Sequence, residues 1–388
     1  MSVLVEKPDQ LASLADDLGH DSLYCLDTEF DSRASRVTLC LIQLVANDEI
    51  YIIDTLALRD LQPLTEHLGN PDSTWIFHGG HQDVPLLCRA LGLSQLPRLF
   101  DTQIVWGLSS PEPATSFAYL NYRLLGIRGS KQHQTDDWMR RPLTHSQIDY
   151  AAHDVETLPR LYQLLLQRVT DLGRHRQVTD ACQEILGGAQ ACWEPLTLES
   201  YRNAWQLQPA GQRALSDLID WYNALPPRER DAAPEAKLLW SMANRLPKSV
   251  EALHQVRGLP RTLAPSHQQR ILSIMREAER GGSRQPALLE PPPYATYERL
   301  QLDAWLEYVR CAACAKAQVS KELVLGGHRL RRLKDTVARL GLSAFQPETL
   351  AEILGSWQFE LLGDALVWAS KRIELVGAQG PDPARGNV

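Results

Sequence analysis

Three stretches near the start decide the fold: SLYCLD (Ser22–Asp27), VTLCLIQLV (Val37–Val45) and EIYIID (Glu49–Asp54). The first is an apolar run ending in a carboxylate, and the third is nearly continuous in β-branched and aromatic residues, so all three read as strands. Their short polar connections favour hairpins. Outward from them, Leu58–Leu68 spaces leucines at helical intervals and Thr74–Phe77 returns to strand. Gln82–Leu91 is helical again, and Leu99–Asp101 predicts a last short strand. From Ser116 the pattern is helical almost throughout, with Ile148–Leu166 the longest amphipathic stretch. The expectation is an α/β domain over residues 1–170, a mixed sheet flanked by helices.

The chain has 388 residues, well beyond the roughly 150 of one domain, so two or three domains are expected. With 44% hydrophobic and 22% charged residues, a mostly disordered or fibrous protein is excluded. Glu6, Lys7, Asp9, Asp16 and Asp17 leave Met1–His20 without the apolar centre of a signal peptide. No apolar run approaches the roughly 18 residues of a membrane span. Seven scattered cysteines do not form a disulfide framework. These features predict a cytoplasmic protein with no membrane association.

Beyond about Trp193 no strand signal appears. Two helical blocks, Gln208–Ala278 and Glu298–Ser370, flank a stretch containing GGS and PPP. The expected layout is a helical connector over 171–207, a helical domain over 208–280, a linker over 281–297, a second helical domain over 298–375 and a disordered tail over 376–388. Charge divides along the chain. Up to Ala204 there are 16 Lys+Arg against 27 Asp+Glu; from Trp205 onward there are 24 against 20. An acidic half and a mildly basic half suit metal holding in one and polyanion contact in the other.

Four carboxylates carry candidate chemistry. Asp27 and Glu29 end the first strand, and strand alternation puts them on one face, about 6–7 Å apart along the chain. Hard divalent cations favour such oxygen donors. Asp83 follows His78-Gly79-Gly80, where the glycines allow a tight turn and the acid falls in the first turn of the next helix. Tyr150 and Asp154 stand four apart on a helix, hence one turn apart on one face. Taken alone, each pattern is weak: DxE fits a surface pair and Asp83 a helix-end carboxylate more readily than chemistry.

In this order, DxE on strand one, Asp on a later helix and Tyr-x3-Asp near the domain's end resemble the DEDD exonuclease superfamily, in its tyrosine subgroup. The likeness extends to DTEF, to His78-x4-Asp83, to DTQ (Asp101–Gln103) and to Lys131-x-x-Gln134 leading into Asp137-Trp138. It continues through Arg141-Pro142-Leu143 and QIDYAAHDV, and as a set it resembles the ribonuclease D family. Leu246-Pro247-Lys248-Ser249 through Gly258-Leu259 resembles the HRDC nucleic-acid-binding module. KELV (Lys321–Val324) and GSWQFELLG (Gly355–Gly363) resemble its divergent second copy. Asp136 and His153 depart from the family's usual residues and bear on substrate grip or local pKa.

The resemblance implies a ribonuclease H-like exonuclease domain with a mixed sheet, followed by two all-α HRDC-like domains. It implies a 3′→5′ exoribonuclease that acts on tRNA precursors and other RNAs with single-stranded 3′ ends, working as a monomer with two divalent ions, Mg²⁺ or Mn²⁺. Asp27 would bridge both ions, Glu29 and Asp154 would complete one site, Asp83 would hold the other ion, and Tyr150 would orient the attacking water. A DNA 3′→5′ exonuclease and a non-catalytic nucleic-acid scaffold remain as alternatives. Lys131 and Gln134 are candidate phosphate contacts, as are Arg329, Arg331, Arg332 and Lys334, the densest basic cluster. Trp138 is expected to anchor the core, His78, His81 and His153 to support the site without ligating, and Cys311 and Cys314 to be a structural pair rather than half a zinc site. Since all five site residues precede Val155, removal of the chain from about Gly282 is expected to leave an active but less selective nuclease.

Overall fold

A computed structural model describes residues 2–18, 22–31, 37–58, 60–93, 95–113, 115–128, 136–187, 195–201, 203–226, 229–230, 232–260, 263–281 and 296–372. Lys131, Gln134, most of the expected linker and the expected disordered tail lie outside these residues. The chain forms two compact units. One comprises Met1–Glu29, Leu39–Ala191 and Ala295–Val388; the other comprises Phe30–Thr38 and Cys192–Tyr294.

The first unit is built on a six-stranded sheet. Its strands are β1 (Ser2–Val5), β2 (Leu23–Asp31), β3 (Thr38–Ala46), β4 (Glu49–Asp54), β5 (Thr74–Phe77) and β6 (Arg98–Asp101), in the order β1-β4-β3-β2-β5-β6. β3 and β4 are antiparallel, with Leu41 opposite Asp54. Asn47 and Asp48 join them at φ 51° and 63°, the left-handed pair that a two-residue hairpin turn requires. β1 runs parallel to β4, β2 to β5, and β5 to β6. The sheet is mixed, as expected.

Helices α1 (Pro8–Leu18), α2 (Gln62–Leu68), α3 (Asp83–Ala90), α4 (Thr102–Gly107) and α5 (Phe117–Leu125) precede α6 (His145–Glu156), α7 (Leu158–Leu172) and α8 (His175–Gly187). The long amphipathic stretch is therefore two helices. Pro159 opens α7, and a proline has no N–H with which to continue the ladder from α6. Leu11, Leu14 and Leu18 of α1 and Leu158, Leu161 and Leu165 of α7 are buried in one core with Tyr24, Leu26, Trp75 and Phe77 of the sheet.

That core does not stop at α7. Val178, Ala181, Cys182 and Leu186 of α8 are buried in it, as are Trp305, Val309, Leu333, Trp357 and Leu366 from the C-terminal helices Tyr297–Ala317, Gly327–Leu340 and Ser356–Arg372. The segment expected as a connector is thus partly core, and the last helical block is packed into the exonuclease unit rather than standing apart from it. Polar contacts reinforce the seam. Ser320 donates its backbone N–H to the Gly107 carbonyl at 2.6 Å, and Arg174 bonds the carbonyls of Leu108 (2.5 Å) and Ala317 (2.7 Å). A Cβ on Gly107 would lie 2.8 Å from the Leu323 side chain, which would have to shift to make room. In the second unit the helices Pro209–Ala224, Ala236–Arg245, Val250–His254 and Pro265–Glu279 pack around Leu215, Leu218, Leu239, Met242 and Ile271.

Candidate active site

Three elements bring the predicted residues together. β2 runs on to Asp31, past the expected strand end at Asp27, so Asp27 and Glu29 lie in its second half; both are partly buried while Thr28 between them is buried. The Asp27 carboxylate accepts the Thr28 N–H at 2.9 Å. β5 ends one residue before the His78-Gly79-Gly80 turn, where Gly79 has φ 72°, and the chain re-enters a helix at Asp83. The Thr28 hydroxyl donates to Asp83 Oδ1 at 2.5 Å, joining β2 to the first turn of α3.

Asp101 explains the DTQ sequence. Fully buried at the end of β6, it accepts from Gly80 N at 2.8 Å, and it caps α4 by accepting from Gln103 N (2.8 Å) and Ile104 N (3.1 Å). This carboxylate fixes the turn that delivers Asp83. His78 makes two contacts, to Thr102 Oγ1 at 2.9 Å and to the Thr115 carbonyl at 3.0 Å. Its burial pulls its pKa down. It is a neutral strut, as expected of a residue that supports the site without ligating.

Helix α6 supplies the remaining two. Thr144 and Gln147 form a reciprocal capping box at its start, and Ala151 and Val155 bury its inner face. Tyr150 and Asp154 lie one turn apart and share a hydrogen bond. The five residues form one electrostatic group. Burial pushes Asp27 well above the carboxylate range, and Asp83, Asp154 and Glu29 push it further. Glu29 is raised to about 8 by burial, then by Asp154, Asp83 and Asp136. Asp154 is raised by burial to about 6, opposed by the Tyr150 hydrogen bond and His153. Asp83 is raised by burial, opposed by the Thr28 hydroxyl. The Tyr150 phenol is pushed up by burial and by Asp154, which keeps it protonated at neutral pH.

Crowded carboxylates that resist ionisation beside one another are what bound cations relieve. The donors are all oxygen, which fits magnesium or manganese better than soft metals. Among the described residues, no three His, Cys, Asp or Glu side chains are drawn tightly enough together to hold a metal ion as they stand. The donor set fits as an open group that a cation would gather.

Other predicted positions divide. Trp138 is 3% exposed and packs on Tyr150, an anchor as expected. His81 and His153 are exposed, and His153 Nδ1 contacts the Asp149 carbonyl at 2.6 Å. Arg329 is paired with Glu184, and Lys334 with Asp303 at 2.9 Å, so both serve within the fold. Arg331 and Arg332 instead line an open groove of about 470 Å³ with Asp335, Thr336 and Arg339. Cys314 is buried and Cys311 partly so; both thiols are free. Sequence reasoning gave Thr28 no role, because strand alternation turns it away from Asp27 and Glu29.

A 3′-5′ exonuclease family profile matches residues 2–170. Ribonuclease D of Granulibacter bethesdensis is 31% identical, the alignment covering 67% of each chain. The chain belongs to the ribonuclease D family. Ribonuclease D of Gluconacetobacter diazotrophicus is 29% identical over 97% of this chain and 95% of that one. The crystal structure of Escherichia coli RNase D, described as an exoribonuclease involved in structured RNA processing, superposes with a TM-score of 0.71 at 26% identity, over 96% of this chain and 99% of that one. As a ribonuclease D family member the protein is a 3′→5′ exoribonuclease, a hydrolase of phosphodiester bonds. No helix among the described residues is long and apolar enough to cross a membrane.

Proposed function

We propose that the protein trims structured RNAs, tRNA precursors among them, from single-stranded 3′ ends, acting as a cytoplasmic monomer with two divalent cations, Mg²⁺ or Mn²⁺. The supporting observation is the mutual perturbation of Asp27, Glu29, Asp83 and Asp154 beside a protonated Tyr150. One chain carries all five residues. The likeness to an RNase D involved in structured RNA processing supports the substrate class.

When bound, the cations would lower the pKa of an attacking water and stabilise charge on the leaving 3′ oxygen. Asp27, from its central place in the group, would contact both ions. Glu29 and Asp154 would hold the ion on the water side, and Asp83 the other, its second carboxylate oxygen free of the Thr28 bond. The Tyr150 phenol keeps its proton, so it orients the water by hydrogen bonding rather than acting as a base. The Asp154 hydrogen bond fixes its direction. Arg331, Arg332 and Arg339 line a groove in which the RNA's phosphates would be held, and the two helical blocks would act as HRDC-like modules.

The experiment is hydrolysis of a tRNA-like RNA carrying a 5′ label, with Mg²⁺, with Mn²⁺ and with chelator. A ladder shortening from the 3′ end in either metal, lost with chelator and lost in Asp27→Asn, is expected. An Asp27→Asn variant keeping more than about a tenth of the wild-type rate, a loss under about 1.4 kcal/mol, would remove Asp27 from the centre of the site. A DNA strand of the same sequence cut equally fast would overturn the RNA preference.

A further inference from the structure

Between β4 and α6 lies a buried device that the chemistry above does not use. Asp54, at the end of β4, accepts two hydrogen bonds from Arg141, from Nε at 2.5 Å and from Nη2 at 2.7 Å. The same Asp54 carboxylate accepts the N–H groups of Leu56 (3.0 Å) and Ala57 (3.1 Å), which fixes it in turn. The guanidinium is spread over three further acceptors: the carbonyls of Trp138 (2.7 Å), Arg140 (2.8 Å) and Cys40 (3.2 Å). A planar fork engaged on both edges holds its partners in a defined geometry, because guanidinium donors point in fixed directions. The turn from Asp137 to Arg141 is therefore clamped to the sheet.

Trp138 sits at the tip of that clamp. Its ring is buried with Cys40, Leu41, Ile52 and Ala151, and its centroid lies 6.1 Å from that of Tyr150 at an interplanar angle of 32°. Among the described residues its buried indole nitrogen has no partner, so the clamped backbone and the packing place the ring. Tyr150 is only partly buried, with its hydroxyl bonded to Asp154 and its ring packed against the cluster that holds Trp138.

We infer that Trp138 is a positioning residue for the reaction, holding the Tyr150 ring at the angle its hydroxyl needs, with the Asp54–Arg141 pair as the anchor behind it. This rests on the proposed water-orienting role of Tyr150. Displacing a group that aligns reactants by about 1 Å can cost about a hundredfold in rate. Loss of the indole leaves the Tyr150 ring free to tilt while the carboxylates and the RNA contacts stay in place.

The test is a double-mutant cycle on single-turnover hydrolysis with saturating Mg²⁺. Trp138→Leu is expected to lower kcat about 10- to 100-fold with KM within about twofold, and Trp138→Phe, which keeps an aromatic face, to recover most of that loss. In a Tyr150→Phe background, Trp138→Leu should add less than about threefold, since the hydroxyl it positions is already gone. If Trp138→Leu does not fold, Trp138→Met runs the same cycle. Equal rate losses in both backgrounds, or an unchanged kcat in Trp138→Leu, would overturn the positioning role while leaving that of Tyr150 intact. A Tyr150→Phe variant at full rate would overturn both.

Discussion

Replacing Glu29 by glutamine should make the metal-free protein more stable at alkaline pH while abolishing its activity. Glu29 titrates near 4.5 in an unfolded chain and near about 8 in the fold, raised by burial and by Asp154, Asp83 and Asp136. The folded state therefore holds a proton that the unfolded state releases. Its stabilising effect is complete below pH 4.5 and is lost as pH climbs toward 8. Each pH unit in that window is worth about 1.4 kcal/mol. Ionising Glu29 at pH 8 without a cation thus costs on the order of 4 kcal/mol, and less where Asp154 or Asp27 keeps a proton in its place. Glutamine has no proton to lose, so the variant's stability should be flat across the window. Urea denaturation in chelator, from pH 5 to pH 8.5, measures both proteins. The variant should gain about 2–4 kcal/mol over wild type at pH 8 and little at pH 5, and added Mg²⁺ should narrow the gap by stabilising only wild type. A gap of equal size at pH 5 and pH 8 would show that Glu29 is not held among like charges, and the shared carboxylate site would fall with it.

Three further outcomes follow from particular contacts. Tyr150→Phe should slow the chemical step by about 10²–10⁴-fold with RNA affinity preserved, measured by single-turnover kinetics beside a binding titration. Thr28→Val removes the 2.5 Å bond to Asp83; calorimetry should show weakened Mg²⁺ binding, and kcat should fall at subsaturating metal but recover at high metal. Ending the chain at Gly281 strips Trp305, Val309, Trp357 and Leu366 from the core shared with α8, so the truncated protein should be insoluble or melt far below wild type by circular dichroism, not persist as a compact nuclease.

That last outcome reverses what the sequence alone suggested, and the reason lies in range. The DxE pair, the glycine turn before Asp83 and the Tyr-x3-Asp spacing are local patterns, set by strand alternation and helical periodicity, so the sequence displays them directly. The mixed sheet followed equally well from its hydrophobic runs, apart from β1, whose four residues Ser2–Val5 are too few to show a period and gain their place by pairing with β4. Thr28 escaped notice because its partner is 55 positions away. Arg329 read as a free cation because Glu184 is 145 positions away. In both cases a polar side chain takes its meaning from a distant acceptor that no local pattern announces.

The basic cluster shows what this implies for function. Four neighbouring cations look equivalent in the sequence, yet Arg329 and Lys334 close ion pairs within the fold while Arg331 and Arg332 face an open groove. Among the described residues Arg331 and Arg332 close no such ion pair, although Asp335 shares their groove, so they are better placed than Arg329 and Lys334 to gain counterion-release energy from a phosphate backbone. An Arg331→Ala, Arg332→Ala double variant should therefore bind RNA more weakly and lower the slope of log affinity against log salt by up to about 1.4–1.8, with its melting temperature unchanged. Arg329→Ala should do the reverse: it leaves Glu184 without its guanidinium partner beside Trp357, so it should lower the melting temperature and leave the salt slope as it was. Identical slopes in the two variants would mean that the groove does not hold RNA.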